Sequence, residues 1–419
     1  MFRKNKEVID NETQTFDDSN VREIIVERRS GFNFSEVIII MIIAIMFGFL
    51  LGNIVNFVVF DGKNSNNDDL DELVSTYDNI VNNYYKDVDK EELIDAGIKG
   101  MINYLDDPYA TYFSDEASDE FNDELAGTYE GIGVEIMLRD NIISVSKVFD
   151  NSPASKAGLK VNDILIKVND ESVLDKALSD VVSMISGDNS KNEVKLTVKR
   201  DDKELDFNVN KKKVDIPVVN SEIFENNGKK IGYIRIDVFS LNCYEQFNKE
   251  LKSLEKKNID GLVIDVRDNP GGYLSQVKNI LCLFLDKKHV LYQLDTKGKK
   301  EKIYGTKKSI DRSYPVSVII DDDSASASEI LASAFKESYG SRIVGINSYG
   351  KGTVQSASDL KSGDTIKYTV QKWLTPDGNW VNEKGVVPTD RVENVLKEGE
   401  ALTKDNDVML KTAISVVSE

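Results

Sequence analysis

A single histidine, His289, occurs in the 419 residues, and it lies in the run FLDKKHV among lysines. No GxSxG elbow and no HExxH pair accompanies it, so hydrolytic mechanisms built on imidazole or zinc have no foothold here. Cysteine is nearly as scarce. Cys243 and Cys282 stand alone, with no CxxC pair, which argues against a zinc ribbon or a disulfide framework; two buried free thiols in helices are expected, and the sequence leaves a bridge between them open. Excess positive charge is also missing: 53 Lys and Arg face 72 Asp and Glu, a net charge of -19. Without a basic patch, nucleic acid is excluded as a partner.

What remains is the composition of a globular protein, 40% hydrophobic and 30% charged, and long enough for two or three folded units. One long apolar run interrupts it. Val37 to Phe60 carries no charged side chain over 24 residues, enough for a helix to cross the ~30 Å hydrocarbon core of a bilayer. It is longer than the apolar region of a signal peptide, and VVFDGK after it offers no small-residue cleavage site. A retained signal anchor is expected. Arg22, Arg28 and Arg29 precede the run and only Lys63 follows closely, which puts residues 1–36 in the cytoplasm and the rest outside it. Gly48-x-x-x-Gly52 could bring two such helices together.

Beyond the span, residues 61–126 read as a polar stalk (GKNSNNDDLDE) and a helical region, closed by the helix breaker Asp107-Pro108. Residues 127–213 change character. Short apolar runs such as GVEI, IISV, ILIKV and VKLTV, separated by turns, describe a small β-rich module. Its stretch NSPASKAGLKVNDILIKVND (Asn151 to Asp170) resembles PDZ domains, with Asn162 and Asp170 where that pattern has glycines. Both residue types tolerate left-handed backbone, so both suit a turn. In that resemblance Gly131-Ile132-Gly133-Val134 falls where PDZ domains bind a terminal carboxylate through converging backbone N–H groups.

Residues 214–419 alternate strands and helices: KIGYIRID, a helix over about 243–257, GLVIDVR, a helix over about 274–285, YPVSVIIDD, a helix over about 326–337, then RIVGI. That rhythm implies an α/β core, ending in a helical tail over about 392–419. Three short motifs follow its strands. Asp265-x-Arg267-x-Asn269-Pro270-Gly271-Gly272 puts paired glycines before a helix, where exposed N–H groups favour negative charge. SASASEI (Ser324 to Ile330) opens the next helix, and its Ser326-x-x-Glu329 also reads as an ordinary capping box. Local sequence does not choose among Ser324, Ser326 and Ser328. Tyr349-Gly350-Lys351-Gly352-Thr353-Val354-Gln355 sets a lysine between glycines in an apolar loop and lacks the spacing of a phosphate-binding loop.

Taken in this order, with a PDZ-like module ahead and TVQKWLTPDGNWVNEKGVVPTD (Thr369 to Asp390) behind, the three motifs resemble the carboxy-terminal processing, or tail-specific, proteases. The resemblance covers roughly residues 65–415. Together with the apolar run Val37–Phe60, it implies a multidomain protein: one N-terminal transmembrane helix, a β-rich PDZ domain and an α/β serine protease core. It implies Ser326 as nucleophile, Lys351 as general base 25 residues on, and Gln355 as the residue that orients the lysine. The backbone N–H of Ala327 and of Gly272 would form the oxyanion hole, although Gly271 and Gly272 are not distinguished by the sequence itself. Substrates would be proteins held by their C-terminal tails, a homodimer is compatible with the resemblance, and no metal or cofactor is required. An ordinary lysine pKa is about 10.4, so a base working near neutral pH needs a downward shift of roughly 3 units, which burial can supply. The competing reading is a membrane-tethered, non-catalytic PDZ scaffold; the joint presence of serine, lysine and glutamine in their motifs speaks against it.

Overall fold

The computed structural model describes residues 68–114, 118, 126–139, 141–187, 192–306, 312, 314–396 and 400–419. The expected cytoplasmic tail and membrane span, with the stalk up to residue 67, lie outside the described residues. Among the described residues no helix is long and apolar enough to cross a membrane. The chain divides into two compact units, Met1–Lys90 and Glu91–Glu419. In the first, the sixteen-residue helix Asp68–Asn83 is followed by Tyr84 and Tyr85, whose rings meet edge to face.

The second unit holds the sheets. Its largest core forms on a six-stranded sheet ordered Val219–Asn226, Lys229–Ile236, Gly261–Asp265, Val316–Ile320, Arg342–Gly345 and Asp390–Arg391. The first pair is antiparallel and every later pair parallel. Two central strands, GLVID and VSVII, are buried along their whole length, as expected of parallel strands covered on both faces. Alternation sorts their side chains. Leu262, Ile264, Val318 and Ile320 pack under the helices Cys243–Glu255, Leu274–Leu281 and Ala327–Ala334, where Phe247, Leu251, Val277, Ile280 and Leu331 fill the layer. Val263, Ile319 and Val344 face the opposite layer, the helix Val408–Ser418, through Leu410, Ala413 and Val417. The result is a three-layer α/β/α sandwich.

That last helix corrects an expectation. The chain is not helical from Val392 as the apolar pattern suggested; the helix begins only at Val408, capped by the Asp407 side chain, which accepts from the Leu410 N–H. It is a structural layer rather than a tail. The helix expected over 274–285 ends at Leu281, and the one expected over 326–337 runs from Ala327 to Ala334 before a wider π turn, Phe335–Tyr339.

A second, antiparallel sheet was not anticipated. Thr365–Leu374 lies at its centre, flanked by Thr111–Phe113, Thr353–Asp359 and the hairpin Val290–Thr296/Lys299–Tyr304. The PDZ-like module has the sheet order Val134–Arg139, Ile142–Val148, Ile164–Val168, Glu193–Arg200, Lys203–Asn210, with a helix at Leu178–Ser186. Asn162 (φ 71°) and Asp170 (φ 65°) adopt the left-handed conformation expected of them. The strands that lead into and out of the module, Thr128–Gly131 and Lys212–Asp215, pair with each other.

Candidate active site

Three parallel strands, adjacent in the sheet, end beside one another, and each hands its chain to one of the three motifs. Gly261–Asp265 leads to Gly271-Gly272, Val316–Ile320 to Ser326, and Arg342–Gly345 to Lys351. Ligands of open α/β sheets bind beyond such carboxyl ends. Here Gly271, Gly272, Ser326, Ala327, Lys351 and Gln355 line one cleft of about 640 Å³.

The structure separates the three serines. Ser324 is fully buried and its hydroxyl donates to the Val266 carbonyl (2.7 Å); Ser328 is equally buried and donates to the Asn269 carbonyl (2.9 Å). Ser326 faces the cleft. Its backbone sits at φ 53°, ψ −108°, outside the regions open to a residue with a Cβ. Such a conformation costs about 1–3 kcal/mol and persists only where the surroundings enforce it.

Glu329 supplies the enforcement. It is completely buried, yet accepts four hydrogen bonds. Oε2 takes the backbone N–H of Ser326 and of Lys351, both at 2.8 Å. Oε1 takes the Gly350 N–H (2.8 Å) and the Ser348 hydroxyl (2.6 Å). Burial raises its carboxyl above the usual carboxylate range, and these donors offset only part of that rise. Four donors and no acceptor suit only the ionised form. The capping-box glutamate of the sequence therefore also clamps the SASAS turn to the GKG loop.

The loop itself explains its glycines. Gly350 has φ 93°, and a Cβ there would lie 2.9–3.0 Å from the backbone nitrogens of Lys384, Glu383 and Gly385. Beyond it, the indole N–H of Trp373 donates to the Lys351 carbonyl (2.7 Å) and that of Trp380 to the Gly352 carbonyl (2.8 Å). The Lys351 side chain is half-buried. Burial first, and the neighbouring Lys367 ammonium second, hold it below an ordinary lysine, while Asp107 and Glu329 pull the other way. Gln355 shares the cleft, its amide nitrogen donating to the hydroxyls of Thr353 (2.8 Å) and Thr369 (3.3 Å).

The two glycines differ. Gly271 is buried against the SASAS turn, with space for a Cβ only 2.9 Å from Ser326 Cβ, and its N–H donates to Asn269 Oδ1 (2.9 Å). Gly272 is exposed. It forms a parallel bridge with Phe239, in which Phe239 bonds to the flanking Gly271 carbonyl and Tyr273 N–H. In such a bridge the middle residue turns its own N–H the other way. The remainder of that first motif is structural: Arg267 binds Asp265 and Asp407, holding the last helix to the sheet.

In the PDZ-like module Ile132 is buried, and the carbonyls of Ile132 and Gly133 accept from Ala154 (2.9 Å) and Phe149 (3.0 Å). The Tyr129 hydroxyl lies near the backbone N–H groups of Gly133 and Val134. Strand Val134–Arg139 is a sheet edge.

Several residues at the site were not foreseen. Asp107, read only as part of a helix break, and Tyr109, which the sequence did not single out, stand beside Lys351, as does Lys367. His289 is exposed and binds Asp286 (2.9 Å); it is not in the cleft. Both cysteines are free, and burial pushes the Cys243 thiol up to about 12.

Known families match along the chain in this order: the activating protease CtpB N-terminal domain over residues 59–117, the PDZ domain over 131–210, and peptidase family S41 over 230–392. The carboxy-terminal processing protease CtpB of Bacillus subtilis (strain 168) is 42% identical over 322 residues, which span 76% of this chain and 67% of that protein. The chain belongs to the carboxy-terminal processing proteases. A second relative, carboxy-terminal processing protease CtpA of the same bacterium, is 36% identical over 324 residues, 77% of this chain and 69% of its own. Among solved structures, the photosystem II D1 C-terminal processing protease is 26% identical, with a TM-score of 0.45 over 71% of this chain and 81% of its own. This protease is thus a serine-type carboxy-terminal processing enzyme with a PDZ module ahead of its core, as the motif order implied.

Proposed function

We propose that the chain is a membrane-anchored endopeptidase that holds protein C-terminal tails on its PDZ module and cuts peptide bonds with a Ser326–Lys351 dyad. The observation that carries the dyad is Glu329 Oε2, a single oxygen bound to the backbone N–H of both residues. It fixes a strained serine next to a lysine whose burial favours the neutral amine.

In the reaction, neutral Lys351 Nζ takes the proton of the Ser326 hydroxyl as its oxygen bonds to the scissile carbonyl carbon. The carbonyl π pair moves onto oxygen, where the N–H groups of Gly272 and Ala327 receive it. Each such donor is worth about 3 kcal/mol. Gly272 is favoured over Gly271 because the Gly271 N–H already binds Asn269. Collapse of the adduct breaks the C–N bond, and the departing amine takes the proton from Lys351. Water then repeats the sequence on the acyl-enzyme: Lys351 accepts its proton, the hydroxide equivalent bonds to carbon, and the ester bond to Ser326 breaks with the proton returned to Oγ. Gln355, held by Thr353 and Thr369, lines the same cleft as the lysine and helps to orient it.

Tail capture follows from the module's edge strand and from Gly131, Ile132, Gly133 and Val134, whose turn directs two N–H groups at one point. A tail carboxylate would replace the Tyr129 hydroxyl there. Anchoring rests on the apolar run Val37–Phe60 and the arginines before it.

Purified chain should cleave an unstructured peptide with an apolar C-terminus. Ser326→Ala and Lys351→Ala should each lower kcat/KM by at least about a thousandfold, while thermal unfolding stays cooperative. Cleavage by the Ser326→Ala protein at the native rate would discard the nucleophile.

A further inference from the structure

The Asp107-Pro108-Tyr109 turn lies about 240 residues before the lysine in sequence but borders it in space. Lys351 Nζ stands 4.6 Å from the centre of the Tyr109 ring, over its face. Two ties hold that ring in place. The Asp107 carboxylate accepts the Tyr109 N–H at one oxygen (3.0 Å) and the Thr369 N–H at the other (3.3 Å), fastening the turn to strand Thr365–Leu374. The Tyr349 hydroxyl, two residues before the lysine, lies close to that of Tyr109. The turn that carries the ring is therefore fastened to the strand beside Lys351.

We propose that Tyr109 is the positioning residue of Lys351: its ring face seats the amine, fixes its direction and closes that side of the cleft to water. The inference rests on the reading of Lys351 as general base. Every charged group facing the amine comes from a different element. Asp107 lies on the same turn as Tyr109, Lys367 on strand Thr365–Leu374, and Glu329 on helix Ala327–Ala334. Among them the aromatic face has a distinct role. It attracts the ammonium without a full charge, so it directs the side chain while restoring only part of the pKa that burial removes. A carboxylate in its place would hold the lysine protonated and end its service as a base.

The test uses the full chain and two readouts. The first is the pH dependence of Lys351 acetylation by acetic anhydride, followed by mass spectrometry, which reports the amine's own pKa. The second is the acid limb of kcat/KM. Tyr109→Leu keeps apolar bulk and removes the ring, so the Lys351 pKa should fall by about 0.5–1 unit. The acid limb should move down with it, and kcat should drop more than KM changes. Tyr109→Phe keeps the ring and should leave the labelling pKa near that of the parent chain. An unchanged labelling pKa in Tyr109→Leu overturns the proposal, as does an equal fall in Tyr109→Phe, which would credit the hydroxyl instead. A lowered labelling pKa with an unmoved acid limb upholds the Tyr109 seat and removes Lys351 as the base.

Discussion

Glu329 ties the strained backbone of Ser326 to that of Lys351, the two residues of the proposed dyad, through one carboxylate oxygen. A carboxylate with four donors and no solvent cannot be replaced by an amide without loss, because the amide nitrogen turns a donor toward a donor. Glu329→Gln is expected to cost about 2–3 kcal/mol of stability from the unpaired N–H groups, read by urea unfolding. It should also slow turnover of the fully folded protein at least tenfold. The sign of the accompanying pH effect is determined. Glu329 favours the Lys351 ammonium, so neutralising it lowers the lysine pKa and moves the acid limb of kcat/KM to lower pH. An upward shift would contradict this placement of charge. Linkage gives the same lysine a second signature. Its folded pKa lies below its unfolded one, so the unfolded chain binds more protons between the two values. Stability from this group rises with pH across that window.

At the scale of elements, the proposed tail site consists of the edge strand Val134–Arg139 and the turn before it. Their N–H groups at Gly133 and Val134 are already near a neutral hydroxyl, which a carboxylate outcompetes by charge. A peptide with a free C-terminus should therefore bind the Ser326→Ala protein at least about tenfold more tightly than its C-terminal amide, measured by fluorescence anisotropy. Equal affinities would remove the carboxylate from the recognition. Element lengths also show where pattern reading works. Helix Cys243–Glu255 and strands Gly261–Asp265 and Val316–Ile320 fall where periodicity put them, because each buries a full face or both faces. The last helix fell short of its expected start because Asn394 and Asp407, rather than apolar spacing, organise its beginning. Asn394 Oδ1 accepts from Val408 (2.8 Å), and Asp407 accepts from both Leu410 and Arg267.

For the whole molecule, the expected arrangement is a catalytic body on a membrane tether. The full chain should sediment with membranes and resist alkaline carbonate, whereas a chain beginning at Gly62 should remain in the supernatant. Release of the full chain by carbonate would argue against a spanning helix. The length and freedom from charge of Val37–Phe60 are the whole basis of that prediction, since a bilayer tests both directly.

Sequence alone determined the order of modules, the protease family through its three ordered motifs, and the left-handed turns at Asn162 and Asp170. These are local properties, written in short stretches whose chemistry does not depend on distant residues. Only the tertiary structure decided which serine of SASAS faces the cleft, which glycine of the pair is already engaged, and that Glu329, Asp107 and Tyr109 converge on Lys351. Those decisions depend on parallel strands lying side by side and on a turn from far upstream folding against them. Distances between residues remote in sequence are set by packing of the core, which no single segment contains.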